Sequence, residues 1–529
     1  MILQTETLDP EVYRALEDVV GPENITDEPA ILDGYCFVWG NLMICDDEFG
    51  TRPPAVVLPG STAEVQAIVK VCNKYGLKFR AHSTGFSPNA IYAPEPILPI
   101  DLRRMNRIID IDEKNMIAIV EPYVSIGELV IEGMRKGVRC HVIGAGCSAG
   151  VIPSCTSLGG TGTTNVSTGY AGRLPLAVEW VLPNGEILRL GSLGTGAGWF
   201  TGDGPGPSLR GVMRGFGGAC GGMGIFTKVG VKLSPWYGPP EIEVTGQSPS
   251  YLTKVPESIK VITASFGSRD DIFEAMRELC EEGVSYALSR RGPFTMIAAM
   301  TKSNEETYDM VQATNFMEEN AHALNLLLDA SSPREMKYRE KVALSIIEKY
   351  NGTIFPETPE GESARFVHAW MGAGSIKGVF RASGASGVGA PTAEESLDLV
   401  KRVNELGYGI KERYAKEGSC LDDADPTWVT PFEHGATGAH CEMAIRSDVM
   451  QPSIRQAMRE LITECEDKVV EKKFALHLYE GCMRTDPNKE THDTAGPECL
   501  NYHVWLRKLK KAFDPNLVAD AYFYTMPED

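Results

Sequence analysis

The feature that most constrains this chain is a glycine- and hydroxyl-rich segment at residues 154–169, SCTSLGGTGTTNVSTG. Only Leu158 and Val166 are bulky and apolar, so the segment cannot form a core of its own. Glycine lets the backbone approach a flat ligand closely, and hydroxyl groups supply hydrogen bonds. The segment has neither the Gly-Lys-Ser/Thr sequence of a P-loop nor the spacing of a nicotinamide site. It therefore predicts either a ligand-lining loop or a tightly packed structural loop.

Two further segments have a similar composition. Residues 80–89, RAHSTGFSPN, follow a predicted strand, and their backbone N–H groups and hydroxyls are suited to an anion such as a pyrophosphate. Residues 216–229, FGGACGGMGIFTKV, run from a turn of small residues directly into a predicted strand. Taken alone, each of the two is equally well explained as an ordinary loop.

Composition excludes several classes of protein. The 529 residues are 43% apolar and 23% charged, which is ordinary for a globular chain of two to four domains. The net charge of −20 disfavours nucleic acid and anionic lipid as partners. The thirteen cysteines include no CxxC pair, and we find neither a secretion signal nor a membrane-spanning run, so we expect a cytoplasmic protein with reduced thiols.

Local signals predict a β-α-β unit near the N-terminus. A strand at 55–58 precedes a helix that Ser61 and Glu64 begin with a capping box and that Gly76 ends. Ser125 and Glu128 form a second capping box. The Asn184-Gly185 turn predicts a hairpin between strands at 179–182 and 187–190.

The remaining predicted elements alternate between strands and helices. We expect strands at 225–233, 260–266, 294–300 and 378–382, and helices at 9–19, 270–282, 304–323, 392–406, 453–472 and 503–513.

In this order the motifs resemble the FAD-binding domain of the vanillyl-alcohol oxidase / p-cresol methylhydroxylase (PCMH-type) family, which includes glycolate-oxidase-type D-2-hydroxyacid dehydrogenases. The resemblance spans residues 53–235, and FDPN at 513–516 extends it weakly. It implies an α+β fold, with a two-part PCMH-type FAD-binding domain and an α+β substrate (cap) domain containing an antiparallel sheet. The implied boundaries are an N-terminal helical segment at 1–49, the FAD domain at 50–236, the cap at 237–455, and a C-terminal segment at 456–529 that returns to the FAD domain.

The resemblance also implies which residues bind FAD. These are Ser83, Thr84, Gly85, Phe86, Ser87, Asn89, Pro122, Thr156, Ser157, Gly159, Gly160, Thr163, Asn165, Gly169, Gly224 and Ile225. His82 lies near the position where some relatives attach FAD covalently, but we expect non-covalent binding. Relatives usually have several glycines where this chain has Ala81-His82-Ser83, and Ser-Glu-Gly where it has Ala219-Cys220-Gly221.

The substrate side is predicted from residues 432–442, FEHGATGAHCE. The hydroxyacid branch often has two histidines and an aspartate here, and aligning on the last histidine retains only His440. Oxidation of an alcohol needs a base for the hydroxyl proton, a role suited to histidine. We therefore take His440 as the first catalytic candidate, His434 as the second, and Glu433 as the residue in place of the first histidine. A His/Glu metal site stays open as an alternative, and we assign no metal ligand.

These residues favour an FAD-dependent dehydrogenase that oxidises a small alcohol, either a 2-hydroxy carboxylate or a para-hydroxylated benzylic compound. Nothing in the chain binds haem or an iron–sulfur cluster visibly, so we expect a separate acceptor protein: an electron-transfer flavoprotein, an iron–sulfur subunit or a cytochrome. A homo- or hetero-oligomer is therefore expected. The alternatives are an O2-using oxidase, a redox-neutral flavin-dependent synthase, and a non-catalytic flavoprotein subunit.

Overall fold

The computed structural model describes most of the chain. The described residues are 7–36, 51–85, 96–144, 146–156, 160–206, 208–212, 222–246, 251–290, 292–313, 315–356, 361–368, 388–421, 427–435, 438–474, 496–498 and 500–519. The predicted strand at 378–382 lies outside them.

Three main sheets organise these residues, together with short two-stranded ribbons. The strands are β1 (Ile25–Thr26), β2 (Val56–Val57), β3 (Phe79–His82), β4 (Leu98–Asp101), β5 (Ile108–Asp112), β6 (Ile117–Val120), β7 (Val138–Arg139), β8 (Pro175–Val181), β9 (Ile187–Leu190), β10 (Ile225–Lys232), β11 (Ser234–Pro235), β12 (Val244–Thr245), β13 (Leu252–Thr253), β14 (Ile259–Ser265), β15 (Ser285–Arg290), β16 (Ala323–Asp329), β17 (Thr353–Ile354), β18 (Val388–Glu395), β19 (Thr427–Pro431) and β20 (Ala439–Ile445).

The helices cover the sheets or connect their strands. They are α1 (Pro10–Val20), α2 (Pro29–Leu32), α3 (Thr62–Tyr75), α4 (Ile126–Arg135), α5 (Val151–Thr156), α6 (Asn165–Thr168), α7 (Arg269–Glu281), α8 (Pro293–Met300), α9 (Asn304–Ala313), α10 (Phe316–Glu319), α11 (Pro333–Lys349), α12 (Glu362–His368), α13 (Leu397–Lys416), α14 (Pro452–Glu471) and α15 (Tyr502–Phe513). None of the described helices is both long enough and apolar enough to cross a membrane.

The first sheet has the order β1-β2-β4-β3, with β2, β3 and β4 parallel. Its β-α-β unit follows the sequence signals: the Ser61 hydroxyl caps α3, and Gly76 ends that helix in the left-handed conformation. The C-terminal segment joins this sheet, because Phe79 donates its backbone N–H to Val518 and forms a parallel bridge with Ala519.

The second sheet is antiparallel, with the order β5-β6-β10-β8-β9. Its β8–β9 hairpin and the complete capping box of α4 agree with the predictions. A core that includes Val120, Leu129 and Trp180 lies against this sheet.

The third sheet has seven antiparallel strands in the order β17-β14-β16-β15-β19-β20-β18. Its core includes residues of α7, α11 and α13, so these helices cover one face. An antiparallel sheet is predicted for residues 237–455, and β14 to β20 form one within that range.

Three predictions in this region are wrong. Residues 294–300 form helix α8 and not a strand, because an apolar run has no decisive periodicity and Pro293 at the first position favours a helix. The predicted helix at 304–323 ends early, and its last residue begins the buried strand β16. The predicted helix start at Thr392 belongs to β18, because Thr392–Glu395 pair with β20, and Ser396 then caps α13.

Candidate FAD and substrate site

The segment after β3 contacts two other parts of the chain. The Ser83 hydroxyl donates to the carbonyl of Pro122 over 2.7 Å, and Thr84 Oγ1 accepts from the backbone N–H of Gly150 over 3.0 Å. A Cβ added at Gly150 would lie 2.9 Å from Ser83 Oγ, so a side chain there would push the segments apart. Ser83, Thr84 and Pro122 are therefore brought together, with Gly150 as a partner that the sequence analysis missed.

Gly85 and His82 lie beside this contact. Gly85 has a φ of +69°, and a Cβ there would lie 3.1 Å from the His82 ring. The His82 ring also meets the Tyr35 ring edge-on, at 5.2 Å between centroids. Desolvation lowers the His82 pKa, so the ring is neutral at pH 7.

Residues 160–169, the glycine loop, pack closely against residues 142–144. A Cβ at Gly162 would lie only 1.9 Å from the Val142 carbonyl oxygen, and one at Gly160 would lie 2.8 Å from the Ser154 carbonyl oxygen. Since backbone cannot yield as a flexible side chain does, only glycine fits at these two positions. The loop ends in helix α6 and at Gly169, whose φ is +88°.

The polar groups of this loop fit a dinucleotide. Asn165 is completely buried, and neither its amide nitrogen nor its amide oxygen has a hydrogen-bond partner among the described residues. An unsatisfied buried amide is costly, so it indicates a group that the protein holds when loaded. Thr156 is equally buried, but its hydroxyl donates to the carbonyl of Ile152 within α5. The unpartnered Asn165 amide fits a bound polar group such as FAD, and the closely packed glycines fix the shape of the loop that carries it.

The third predicted segment lies differently. Gly224 has a φ of +103°, and a Cβ there would lie 2.3 Å from the Val181 carbonyl oxygen. Ile225 begins β10 and is buried in the core beside the first sheet. Both residues therefore pack against β8 and the core rather than against the glycine loop, as far as their described contacts show. Phe86, Ser87, Asn89, Ser157 and Gly159 lie outside the described residues.

The face of the third sheet opposite its helices carries a row of polar side chains. Thr430, His440 and Glu394 occupy paired positions on β19, β20 and β18, and Trp428 pairs with Glu442 one step along. Because side chains alternate along a strand, these five residues share one face. Ser289 joins them, since its hydroxyl accepts from the indole N–H of Trp428 over 2.8 Å. We call these six residues the polar face.

The polar face lies against the glycine loop. The Thr430 hydroxyl is 3.1 Å from both the Gly162 and the Leu288 carbonyl oxygens, and Leu288 donates its N–H to the Thr163 carbonyl. The Trp428 ring packs against Gly144, where a Cβ would lie 2.6 Å from it. The sheet thus holds its polar side chains beside the segment predicted to bind FAD.

His440 lies between two carboxylates. Its Nδ1 is 3.4 Å from Glu394 Oε1, and its Nε2 is 3.7 Å from Glu442 Oε2. These are ion-pair distances, but neither ring nitrogen has a well-directed hydrogen bond among the described residues. Burial opposes the charged ring, yet the two carboxylates outweigh it and raise the His440 pKa to about 9. His440 is therefore an imidazolium at pH 7.

Tyr170 connects this cluster to the glycine loop. It directly follows Gly169, packs on Phe432 with ring centroids 4.8 Å apart, and hydrogen-bonds to Glu394. Burial, followed by the nearby Glu394 charge, raises the Tyr170 pKa, so the phenol remains protonated and donates its proton in this bond.

The other two catalytic candidates lie apart from His440. His434 is exposed, and its Nε2 is 2.9 Å from the Ser285 carbonyl oxygen. Glu433 forms an ion pair with Arg173 over 2.8 Å, beside Gly169. The described residues contain no group of three or more His, Cys, Asp or Glu side chains placed to hold a metal ion.

Sequence reasoning missed Tyr170, Glu394, Trp428 and Thr430. One available signal was the strand period: residues 428, 430, 440 and 442 are separated by two within each strand, which places each pair on one face. Glu394 gave no such signal, because its strand was predicted as the start of a helix.

Comparison with known proteins identifies related sequences and a related fold. The FAD binding domain family matches residues 53–191. The 1'-carboxy-chondrochloren decarboxylase of Chondromyces crocatus is 30% identical over 198 residues, covering 35% of this chain and 34% of that protein. The 4-cresol dehydrogenase [hydroxylating] flavoprotein subunit of Pseudomonas putida is 28% identical over 235 residues, covering 42% of each chain. The chain thus aligns with only about a third to two fifths of the length of these relatives.

The solved structure of p-cresol methylhydroxylase with substrate bound is similar over nearly the whole chain. Its TM-score is 0.73 at 19% identity, with 98% of this chain and 97% of that chain covered. The predicted α+β architecture, the resemblance to the PCMH-type flavoproteins and the choice of FAD are confirmed. Residues 53–191 therefore form an FAD-binding domain, and the chain as a whole has the fold of p-cresol methylhydroxylase.

Proposed function

We propose that this protein is an FAD-dependent dehydrogenase that oxidises a small alcohol. The substrate is either a 2-hydroxy carboxylate or a para-hydroxylated benzylic compound. The observation that carries the proposal is the contact between the glycine loop and the polar face, because it places a buried acid–base cluster beside the FAD-binding domain.

FAD is proposed to lie along Ser83, Thr84, Pro122 and the glycine loop. When bound, it supplies the two-electron acceptor for the hydride that leaves the alcohol carbon. The unsatisfied Asn165 amide would hydrogen-bond to the cofactor, while the close packing of Gly160 and Gly162 on neighbouring backbone fixes the loop that carries Asn165. We propose non-covalent binding and assign no attachment role to His82.

The polar face is proposed to hold the alcohol and take its hydroxyl proton. Its imidazolium, carboxylates and indole are fixed on three neighbouring strands, which gives them little freedom to move. Such preorganisation lowers the cost of aligning the reacting groups. We give His434 and Glu433 no part in this step, because their described partners, the Ser285 carbonyl and Arg173, lie outside the polar face.

The electrons are proposed to leave to a separate acceptor protein. Support comes from a relative whose name describes it as a flavoprotein subunit. An electron-transfer flavoprotein, an iron–sulfur subunit or a cytochrome would each serve.

The test is anaerobic reduction of the purified protein, followed in the visible flavin bands. The alcohol panel consists of 2-hydroxy acids and 4-hydroxybenzylic alcohols, each paired with the compound that lacks the oxidisable hydroxyl. We expect bleaching by one class and not by its paired control. Re-oxidation by an artificial acceptor but not by air then distinguishes a dehydrogenase from an oxidase.

Two results would contradict the proposal. A protein that takes up no FAD would exclude the cofactor site, and a yellow protein that no alcohol bleaches would exclude the reaction.

A further inference from the structure

Glu394 links the polar face to the end of the glycine loop. Its side chain is 11% exposed, it accepts a hydrogen bond from Tyr170, and its Oε1 lies 3.4 Å from His440 Nδ1. That oxygen has no well-directed hydrogen bond among the described residues, and the His440 ring nitrogen is its ion-pair partner. Glu394 is therefore a buried carboxylate between Tyr170 and His440, and a carboxylate oxygen can accept a proton.

His440 is poorly suited to that task at neutral pH. Both of its ring nitrogens carry protons when it is an imidazolium, and an imidazolium donates but does not accept. Glu394 and Glu442 flank the ring at ion-pair distances of 3.4 Å and 3.7 Å, so the His440 ring holds both side chains in place.

The groups around Glu394 come from several elements. His440 and Glu442 face it from β20, and Tyr170 faces it from the end of the glycine loop, with the Arg173–Glu433 ion pair beyond. On the helix-covered side of the sheet, Lys411 bonds to the carbonyl of Ala444. Among the described residues, His440 is therefore the cation that directly pairs with Glu394.

We propose that Glu394 is the base that accepts the substrate hydroxyl proton, and that His440 is a positioning residue that holds the Glu394 carboxylate in place. The inference rests on the proposed function. In the reaction, the substrate O–H bond breaks and its proton forms an O–H bond on Glu394, while the C–H bond breaks and its electron pair leaves with the hydrogen to bound FAD, so that a C=O bond forms. The proton later returns to solvent.

Three variants test the proposal in the FAD-loaded protein. Glu394→Gln removes the base while keeping its size, and His440→Asn removes the cation. Glu395→Gln is the matched control, because Glu395 is the next residue on the same strand, is exposed, and points to the other face. FAD content and far-ultraviolet circular dichroism establish that each variant folds.

The first measurement is the rate of anaerobic flavin reduction against pH, with an alcohol that bleaches the wild type. We expect Glu394→Gln to lower the rate at least about 100-fold at every pH, the usual effect of losing a general base. His440→Asn should slow reduction without abolishing it, because this variant keeps the base and loses only the side chain that positions it. Glu395→Gln should match the wild type.

The second measurement does not depend on turnover. In protein labelled with nitrogen-15 in histidine, the His440 ring signals are identified by their loss in His440→Asn. In the wild type at about pH 8, we expect both ring nitrogens of His440 to be protonated. In Glu394→Gln at the same pH, we expect a neutral ring or a larger fraction of the neutral ring.

The possible outcomes separate the two proposals. A wild type that no alcohol bleaches overturns the proposed function and the inference with it. If the wild type is bleached and Glu394→Gln is bleached as well, the role of Glu394 is overturned and the proposed function stands. The same holds if His440→Asn is not bleached at any pH. A neutral His440 ring at about pH 8 in the wild type also overturns the role of Glu394.

Discussion

The glycine loop and the polar face are two sides of one site, and they are built from different parts of the polypeptide. The glycine loop is shaped by backbone: Gly162 lies against the Val142 carbonyl, and the carbonyls of Gly162 and Thr163 accept the bonds that hold the neighbouring sheet. The polar face consists of side chains on neighbouring strands.

This difference explains what substitutions should do on each side. A side chain added to a backbone-built site causes a steric clash that the chain cannot relax, so the fold itself suffers. A side chain changed in the polar face alters charge and hydrogen bonding while the strands stay paired. Four predictions test the comparison, from the largest expected effect to the smallest.

Gly162→Ala should be the most damaging change. The new methyl group would lie 1.9 Å from the Val142 carbonyl oxygen, so the loop must move and FAD binding should be lost. We expect the free energy of unfolding to fall by about 3 kcal/mol or more. The control is Gly409→Ala, because Gly409 lies within α13 with open space around it, and alanine there should stabilise by about 0.5–1 kcal/mol. Equal stability of the two variants in urea unfolding would contradict the backbone argument.

His440 should make stability depend on pH. Its folded pKa of about 9 lies above the ordinary value, so its charge stabilises the fold fully below about pH 6.5 and that stabilisation is lost as pH rises through about 9. Across this pH range the free energy of unfolding should fall by on the order of 3 kcal/mol. Urea unfolding of the wild type and of His440→Asn at about pH 6 and pH 10 measures it. If the wild type and His440→Asn differ in the free energy of unfolding by the same amount at both pH values, a charged His440 is excluded.

Thr430→Val tests the bond between the two sides. The change keeps the shape of the side chain but removes the hydroxyl that lies 3.1 Å from both the Gly162 and the Leu288 carbonyl oxygens. We expect a loss of about 1–2 kcal/mol in the free energy of unfolding and a weaker hold on FAD. Thr430→Ser keeps a hydroxyl, so its stability and its FAD affinity should be close to those of the wild type. If Thr430→Ser and Thr430→Val lose the same amount of stability, the effect comes from packing and not from the hydrogen bond.

Asn165→Ala should have the smallest effect on the protein without FAD. Its amide has no described partner, so its removal should leave the stability of the FAD-free protein within about 0.5 kcal/mol of the wild type. FAD affinity, followed by titration of flavin fluorescence, should fall about 10-fold, the equivalent of one ordinary hydrogen bond. A large loss of stability without FAD would show that Asn165 serves the fold and not the cofactor.

Much of the first half of the chain was predictable because its signals are local. The capping boxes at Ser61 and Ser125 and the Asn184-Gly185 turn each act over a few residues, and each element formed as expected. The glycine-rich segment was also predictable as a loop, since it has too few bulky apolar residues to form a hydrophobic core of its own.

The second half was harder to predict for a physical reason. Helix α8 and strand β16 are both nearly continuous apolar runs, so neither sequence has the periodicity that would distinguish a helix from a strand. The His440 cluster is assembled by strand pairing between residues 394 and 440 and by Tyr170 from a distant loop. Short-range patterns carry no information about such contacts.

The alternation along β20 has one more consequence. His440 and Glu442 point toward the glycine loop, and Cys441, between them, is buried in the core under the helices. A shift of β20 by one position against its neighbours would exchange these roles, placing a thiol in the site and two ionisable groups among apolar helices. The burial of Ala439 and Cys441 under the helices therefore fixes the register that presents His440 and Glu442 on the polar face.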